Sequence, residues 1–106
     1  MEEQIKRQID EYIENNDVVL FMKGNKNFPQ CGFSAMVAGV LQKFEVEFKD
    51  VNVLESDELR QGIKDFSDWP TIPQLYVKGE FIGGADIVRE MVEDASIVEV
   101  LGINRK

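Results

Sequence analysis

The sequence predicts an α/β protein, a four-stranded mixed sheet flanked by helices, and three observations carry that expectation. Val18-Val19-Leu20-Phe21-Met22 is apolar on both faces, as a strand at the centre of a sheet should be. Helical and strand patterns follow one another as α-β-α-β-α-β-β-α(-α), an order that suits a sheet with helices on both sides. Leu75-Tyr76-Val77 and Phe81-Ile82 flank Lys78-Gly79-Glu80 in a hairpin pattern, with Gly79 in the turn.

Each remaining element has its own signal. Ile5, Ile9, Tyr12 and Ile13 recur at helical spacing until Asn15-Asn16-Asp17 ends the helix. The central strand leads into a loop, Lys23–Gln30, and then a second helix over about residues 33–44 bearing Met36, Val37, Val40, Leu41 and Phe44. Val46, Phe48 and Val51 alternate with charges and predict a strand, and Leu59, Ile63 and Phe66 place a third helix near 57–66. Gly83-Gly84 break the last strand, and Asp86 is the expected N-cap of a helix carrying Ile87, Val88, Met91 and Val92. A short final helix is expected over residues 96–101. The chain has no repeats or linkers, so residues 1–106 read as one domain.

Composition excludes several functions. With 20 acidic against 12 basic residues the net charge is −8, which disfavours nucleic acid as the main partner. The apolar run Val18–Met22 falls far short of the roughly 20 residues a membrane span needs. The opening MEEQIKRQIDEY has mixed charges and no apolar core, so no secretory signal is expected there. Cytoplasmic localisation is the expectation, with the mitochondrial matrix as the alternative if a transit peptide has been removed. One cysteine, Cys31, permits no intrachain disulfide and suits a reducing compartment. No histidine is present, which removes Ser-His and Cys-His dyads and every histidine-containing metal site.

Four short motifs then stand in order: Met22-Lys23-Gly24, Cys31-Gly32-Phe33-Ser34, Trp69-Pro70-Thr71-Ile72-Pro73 and Gly83-Gly84-Ala85-Asp86. Together they resemble the monothiol, CGFS-type glutaredoxins in single-domain form, over nearly the whole chain from Ile5 to Leu101. The resemblance implies a thioredoxin-like fold. Many members carry a cysteine within Gly-Gly-x-Asp, where this chain has Ala85, so an auxiliary thiol is missing there.

Pro29 and Gly32 bracket Cys31 in a loop-to-helix turn, which should set its sulfur near a helix N-terminus. Unpaired amides and the helix dipole there favour the thiolate, typically by about 0.3–1 kcal/mol. A cation nearby adds to this, and Lys23, leaving the central strand just before Gly24, is the expected one. Ser34 stands where a dithiol relative has its resolving cysteine. It is expected only to cap the helix, so a second thiol must come from outside the chain.

The resemblance implies glutathione as that source. Lys23 then contacts both the thiolate and a glutathione carboxylate, and Ile72 offers its backbone N–H and C=O to the cysteinyl unit. The backbone of Ala85 and Asp86 takes the γ-glutamyl carboxylate, with the Asp86 side chain near its ammonium. Arg60 meets the glycyl carboxylate, and Lys64 lies one turn further on. Trp69 is expected to pack as a core or rim aromatic, with no catalytic role.

Two functions suit such a pocket. A 2Fe–2S cluster is commonly held by four thiolates. Two Cys31 side chains and two glutathiones would make up that number, giving a homodimer bridged by the cluster. The resemblance implies this carrier function, with delivery to apo iron–sulfur proteins and partnership with BolA-like proteins. The alternative is a glutathione-dependent thiol–disulfide oxidoreductase that removes glutathione from mixed disulfides through one thiol.

Overall fold

Val18–Met22 forms β1, and all five residues are buried. The computed structural model describes residues 2–102 and places β1 inside a four-stranded sheet. In chain order the elements are α1 (Glu3–Asn15), β1, α2 (Gly32–Lys43), β2 (Lys49–Asn52), a 3₁₀ turn (Val53–Glu55), α3 (Asp57–Ser67), β3 (Gln74–Val77), β4 (Glu80–Gly83), α4 (Ala85–Glu93) and α5 (Ile97–Val100). The strand order is β2-β1-β3-β4, with β1 parallel to β2 and antiparallel to β3, and β3 antiparallel to β4. The expected mixed sheet and order of elements are both present.

Alternation along β1 divides the core in two. Val19 and Phe21 join Ile5, Ile9, Leu59 and Ile63 on the face covered by α1 and α3. Val18, Leu20 and Met22 join Val37, Leu41 and Val88 on the face covered by α2 and α4. On the first face α1 and α3 approach so closely that a Cβ at Gly62 would overlap the Ile5 side chain.

Several boundaries differ from expectation, each for a physical reason. Val46 and Phe48 precede β2 instead of forming it. Glu45 takes a left-handed φ of 57°, and Val46 N–H closes back onto the Leu41 carbonyl at 3.0 Å, so these residues cap α2. The 3₁₀ turn was not expected; the Asn52 side chain caps it by accepting from Leu54 N–H. Helix α5 is one residue shorter at each end than expected. Asp86 is not the N-cap of α4: Gly84 is, and the Asp86 carboxylate pairs with Arg89 at 2.8 Å instead. The hairpin turn uses both Lys78 and Gly79 at positive φ, 52° and 81°, the pair of angles that matches strand twist in a two-residue turn.

Helix α3 ends in the same kind of cap as α2. Asp68 adopts φ 54°, and Trp69 N–H donates to the Lys64 carbonyl at 3.1 Å. This turn sends Trp69–Pro73 along the end of the sheet toward Cys31.

Candidate functional site

Cys31 is the N-cap residue of α2, in extended conformation, with its side chain part-buried. A backbone N–H of Ser34 does most to hold its thiol below the ordinary value. Partial burial opposes that shift, while the Phe33 N–H, the charge of Lys23 and the Ser34 hydroxyl add to it. The helix-start amides thus matter more than the lysine.

Ser34 is fully buried in the first turn of α2 and does not cap the helix as expected. Its hydroxyl accepts the Lys23 backbone N–H at 3.0 Å, and it adds to the groups that favour the thiolate. One hydroxyl therefore ties the end of β1 to the first turn of α2. The Lys23 carbonyl accepts from Gln30 N–H at 2.9 Å, so the loop between them starts and closes at the site.

That loop is a built structure. Gly24 sits at φ 84°, and a Cβ there would lie 2.5 Å from the Phe28 carbonyl oxygen, so only glycine fits. The Asn25 side chain accepts from the N–H groups of Asn27 and Phe28, both at 2.9 Å. Two β2 side chains hold the loop to the sheet edge: Asn52 accepts Gly24 N–H at 3.0 Å and Asp50 accepts Lys26 N–H at 2.9 Å. Phe28 and Phe33 remain 70% and 60% exposed on either side of Cys31, a placement with no packing role.

A groove of about 470 Å³ runs from the thiol across the sheet end. Cys31, Lys23, Ile72, Ala85 and Asp86 all line it. Arg60 does not. It is exposed on α3, while Lys64, one turn nearer the Trp69 bend, stands in the wall. A larger concavity, about 750 Å³, lies between the start of β1 and residues 46–49 and holds no thiol.

The far wall is backbone. The Ile72–Pro73 peptide is cis, and the Ile72 side chain packs in the α1/α3 core while its main chain borders the groove. At the start of α4 the Gly84 cap supplies no side-chain bond, leaving the first-turn amides unpaired among the described residues. Unpaired amides at a helix start suit a carboxylate.

Trp69 takes the rim position, one of the two places expected of it, while Gln74 was not anticipated. Trp69 lines the groove, with its ring 5.7 Å from that of Phe81, and its buried indole N–H has no partner among the described residues. Gln74, fully buried behind the groove, holds carbonyls of the Trp69–Pro73 segment. A polar residue heading an otherwise apolar strand was the available signal.

A reactive sulfur at a helix start, facing a cis-proline segment across the end of a mixed sheet, defines the thioredoxin-like class in its glutaredoxin form. Comparison with known sequences agrees: the Glutaredoxin family profile matches residues 18–82. The chain belongs to the glutaredoxin family, in its monothiol group. It is 54% identical over 93 residues to "Probable monothiol glutaredoxin 2" of Rickettsia conorii, covering 88% of this chain and 87% of that protein. The solution structure of reduced poplar apo GrxS14 superposes with TM-score 0.80 at 48% identity, over 90% of this chain and 87% of that one. A crystal structure of a buckwheat glutaredoxin–glutathione complex gives TM-score 0.83 over 96% and 94%, a likeness of fold at 22% identity.

Proposed function

We propose that the groove binds glutathione and that Cys31, together with the glutathione thiol, ligates a 2Fe–2S cluster shared by two copies of the chain. The cluster is cargo, passed on to apo iron–sulfur proteins. The observation that carries this reading is the donor set. Cys31 is the only cysteine, there is no histidine, and it stands part-exposed at the rim of the groove with its thiolate favoured. Among the described residues no cluster of three Cys, His, Asp or Glu side chains could hold a metal by itself. A cluster commonly needs four thiolates. Two copies of the chain supply two, and two glutathiones complete the set.

The walls fit the tripeptide by chemistry. The Lys23 ammonium and the Lys64 ammonium, with Arg60 one turn behind it, offer cations for carboxylates. The Ile72 main chain offers a strand-like donor and acceptor. The amides of Ala85 and Asp86 offer an anion site, and the Asp86 carboxylate a counter-charge for an ammonium. The exposed Phe28 and Phe33 give a second copy, a BolA-like partner or a client something apolar to cover.

The part-exposed thiolate also suits the oxidoreductase reading. There Cys31 attacks a glutathionylated protein, releases its thiol and takes up the glutathionyl group. A second glutathione then attacks that mixed disulfide, leaves as oxidised glutathione and restores Cys31. Anaerobic incubation with iron, sulfide and glutathione separates the two. The carrier reading expects thiolate-to-iron absorption together with a shift from monomer to dimer. Colour that survives Cys31→Ser, or that forms without glutathione, would sink it.

A further inference from the structure

Gln74 heads β3 directly after Pro73, pairs with Phe21 across the sheet and is wholly buried. Its Nε2 donates to the carbonyls of Trp69 and Thr71, both at 3.2 Å, and its Oε1 accepts from the Tyr76 hydroxyl at 3.2 Å. Both amide protons and the oxygen are in use. A carboxylate of the same shape would set oxygen against two carbonyls, and an apolar residue would leave both carbonyls without a donor.

The Thr71–Ile72 peptide is trans, so its C=O and N–H point in opposite directions. Since Gln74 draws the Thr71 carbonyl inward, the Ile72 N–H is turned outward, away from the core. No described residue accepts from that N–H or donates to the Ile72 carbonyl. The Ile72 side chain is anchored in the α1/α3 core, so what the residue presents to the groove is main chain.

We propose that Gln74 is a positioning residue for ligand capture: by holding the Trp69 and Thr71 carbonyls it aims the Ile72 N–H at the groove. The inference rests on the glutathione reading above for the ligand's identity and on the hydrogen bonds alone for the aiming. It gives a buried side chain that touches no ligand control over one donor of the binding surface. Tyr76 fixes which end of the Gln74 amide faces the carbonyls.

Amide-resolved NMR on the whole chain tests it. In the wild type, reduced glutathione should shift the N–H signals of Ile72, Ala85 and Asp86 together. In Gln74→Met, of nearly equal size, the Ala85 and Asp86 signals should still move at saturation, with affinity about tenfold weaker. The Ile72 signal should then stay in place. Wild-type affinity with an undiminished Ile72 shift in this variant would overturn the proposal.

Hydrogen exchange in the wild type gives a second reading that needs no variant. The Gln74 side-chain protons should exchange far more slowly than those of exposed Gln30, and the Ile72 N–H should exchange quickly until glutathione is added. Equal exchange at Gln74 and Gln30 would also overturn the proposal. If no amide of the wild type responds to millimolar glutathione, the function reading fails instead, and the Gln74 exchange result still decides whether the anchor exists.

Discussion

The Lys23 backbone N–H donates to the Ser34 hydroxyl at 3.0 Å, and the same hydroxyl helps hold the Cys31 thiol below its ordinary value. The end of β1 and the first turn of α2 are thus joined through residues eleven apart in sequence. Ser34→Ala breaks this link. Leaving the Lys23 N–H unpaired should lower stability by about 1–3 kcal/mol. The pH midpoint of Cys31 alkylation should rise as well. Denaturant unfolding and alkylation rates across pH measure the two effects separately.

The order of causes at Cys31 makes a second prediction. Its alkylation midpoint should fall below the ordinary thiol value of 9.0, because amides at the helix start favour the anion. Lys23→Gln removes a cation, so the midpoint should rise. It should nevertheless stay below that of free cysteine, since the Ser34 and Phe33 amides remain. A midpoint equal to free cysteine in this variant would show that the lysine dominates.

Tyr76 predicts an alkaline limit to stability. Burial pushes its phenol up from 10.0 to about 12. The unfolded chain therefore gives up this proton at lower pH than the native protein does. Between those two values the native state binds more protons, and stability falls as pH rises; below 10 the contribution is complete. Absorbance titration of the tyrosines should show one ionising near 12, and Tyr76→Phe should flatten the loss of stability in that window.

Two helical glycines should respond in opposite ways to alanine. Gly39 is exposed on α2 with nothing near the position of a Cβ, so Gly39→Ala should stabilise by about 0.5–1 kcal/mol. Gly62 lies against Ile5, so Gly62→Ala forces α1 and α3 apart and should destabilise by about 1–3 kcal/mol. Thermal unfolding of the pair checks both signs.

Sequence revealed most where a signal is local. Val18–Met22 was legible because a strand buried on both faces needs no alternation. Cys31, Lys23, Ile72, Ala85 and Asp86 were placed through short motifs and meet in one groove. What stayed hidden depends on geometry between segments. Val46 and Phe48 have a strand's pattern, yet the αL residue Glu45 turns Val46 back to cap α2, and Phe48 packs into the core before β2 begins. Asp86 has an N-cap's identity, but Gly84 takes the cap and Asp86 turns to Arg89. Arg60 and Lys64 share a helix face, and only the bend at Asp68 decides which of them borders the groove. Ser34 looked like a cap, and its link to Lys23 needs the strand and helix brought side by side.

The central claim, that one cysteine serves as a quarter of a ligand set, is tested most directly by native mass spectrometry of the reconstituted protein. The account predicts a single assembly of two chains, one 2Fe–2S cluster and two glutathiones, which falls to bare monomer in Cys31→Ser. A cluster-bearing species without glutathione, or one on a single chain, would contradict it.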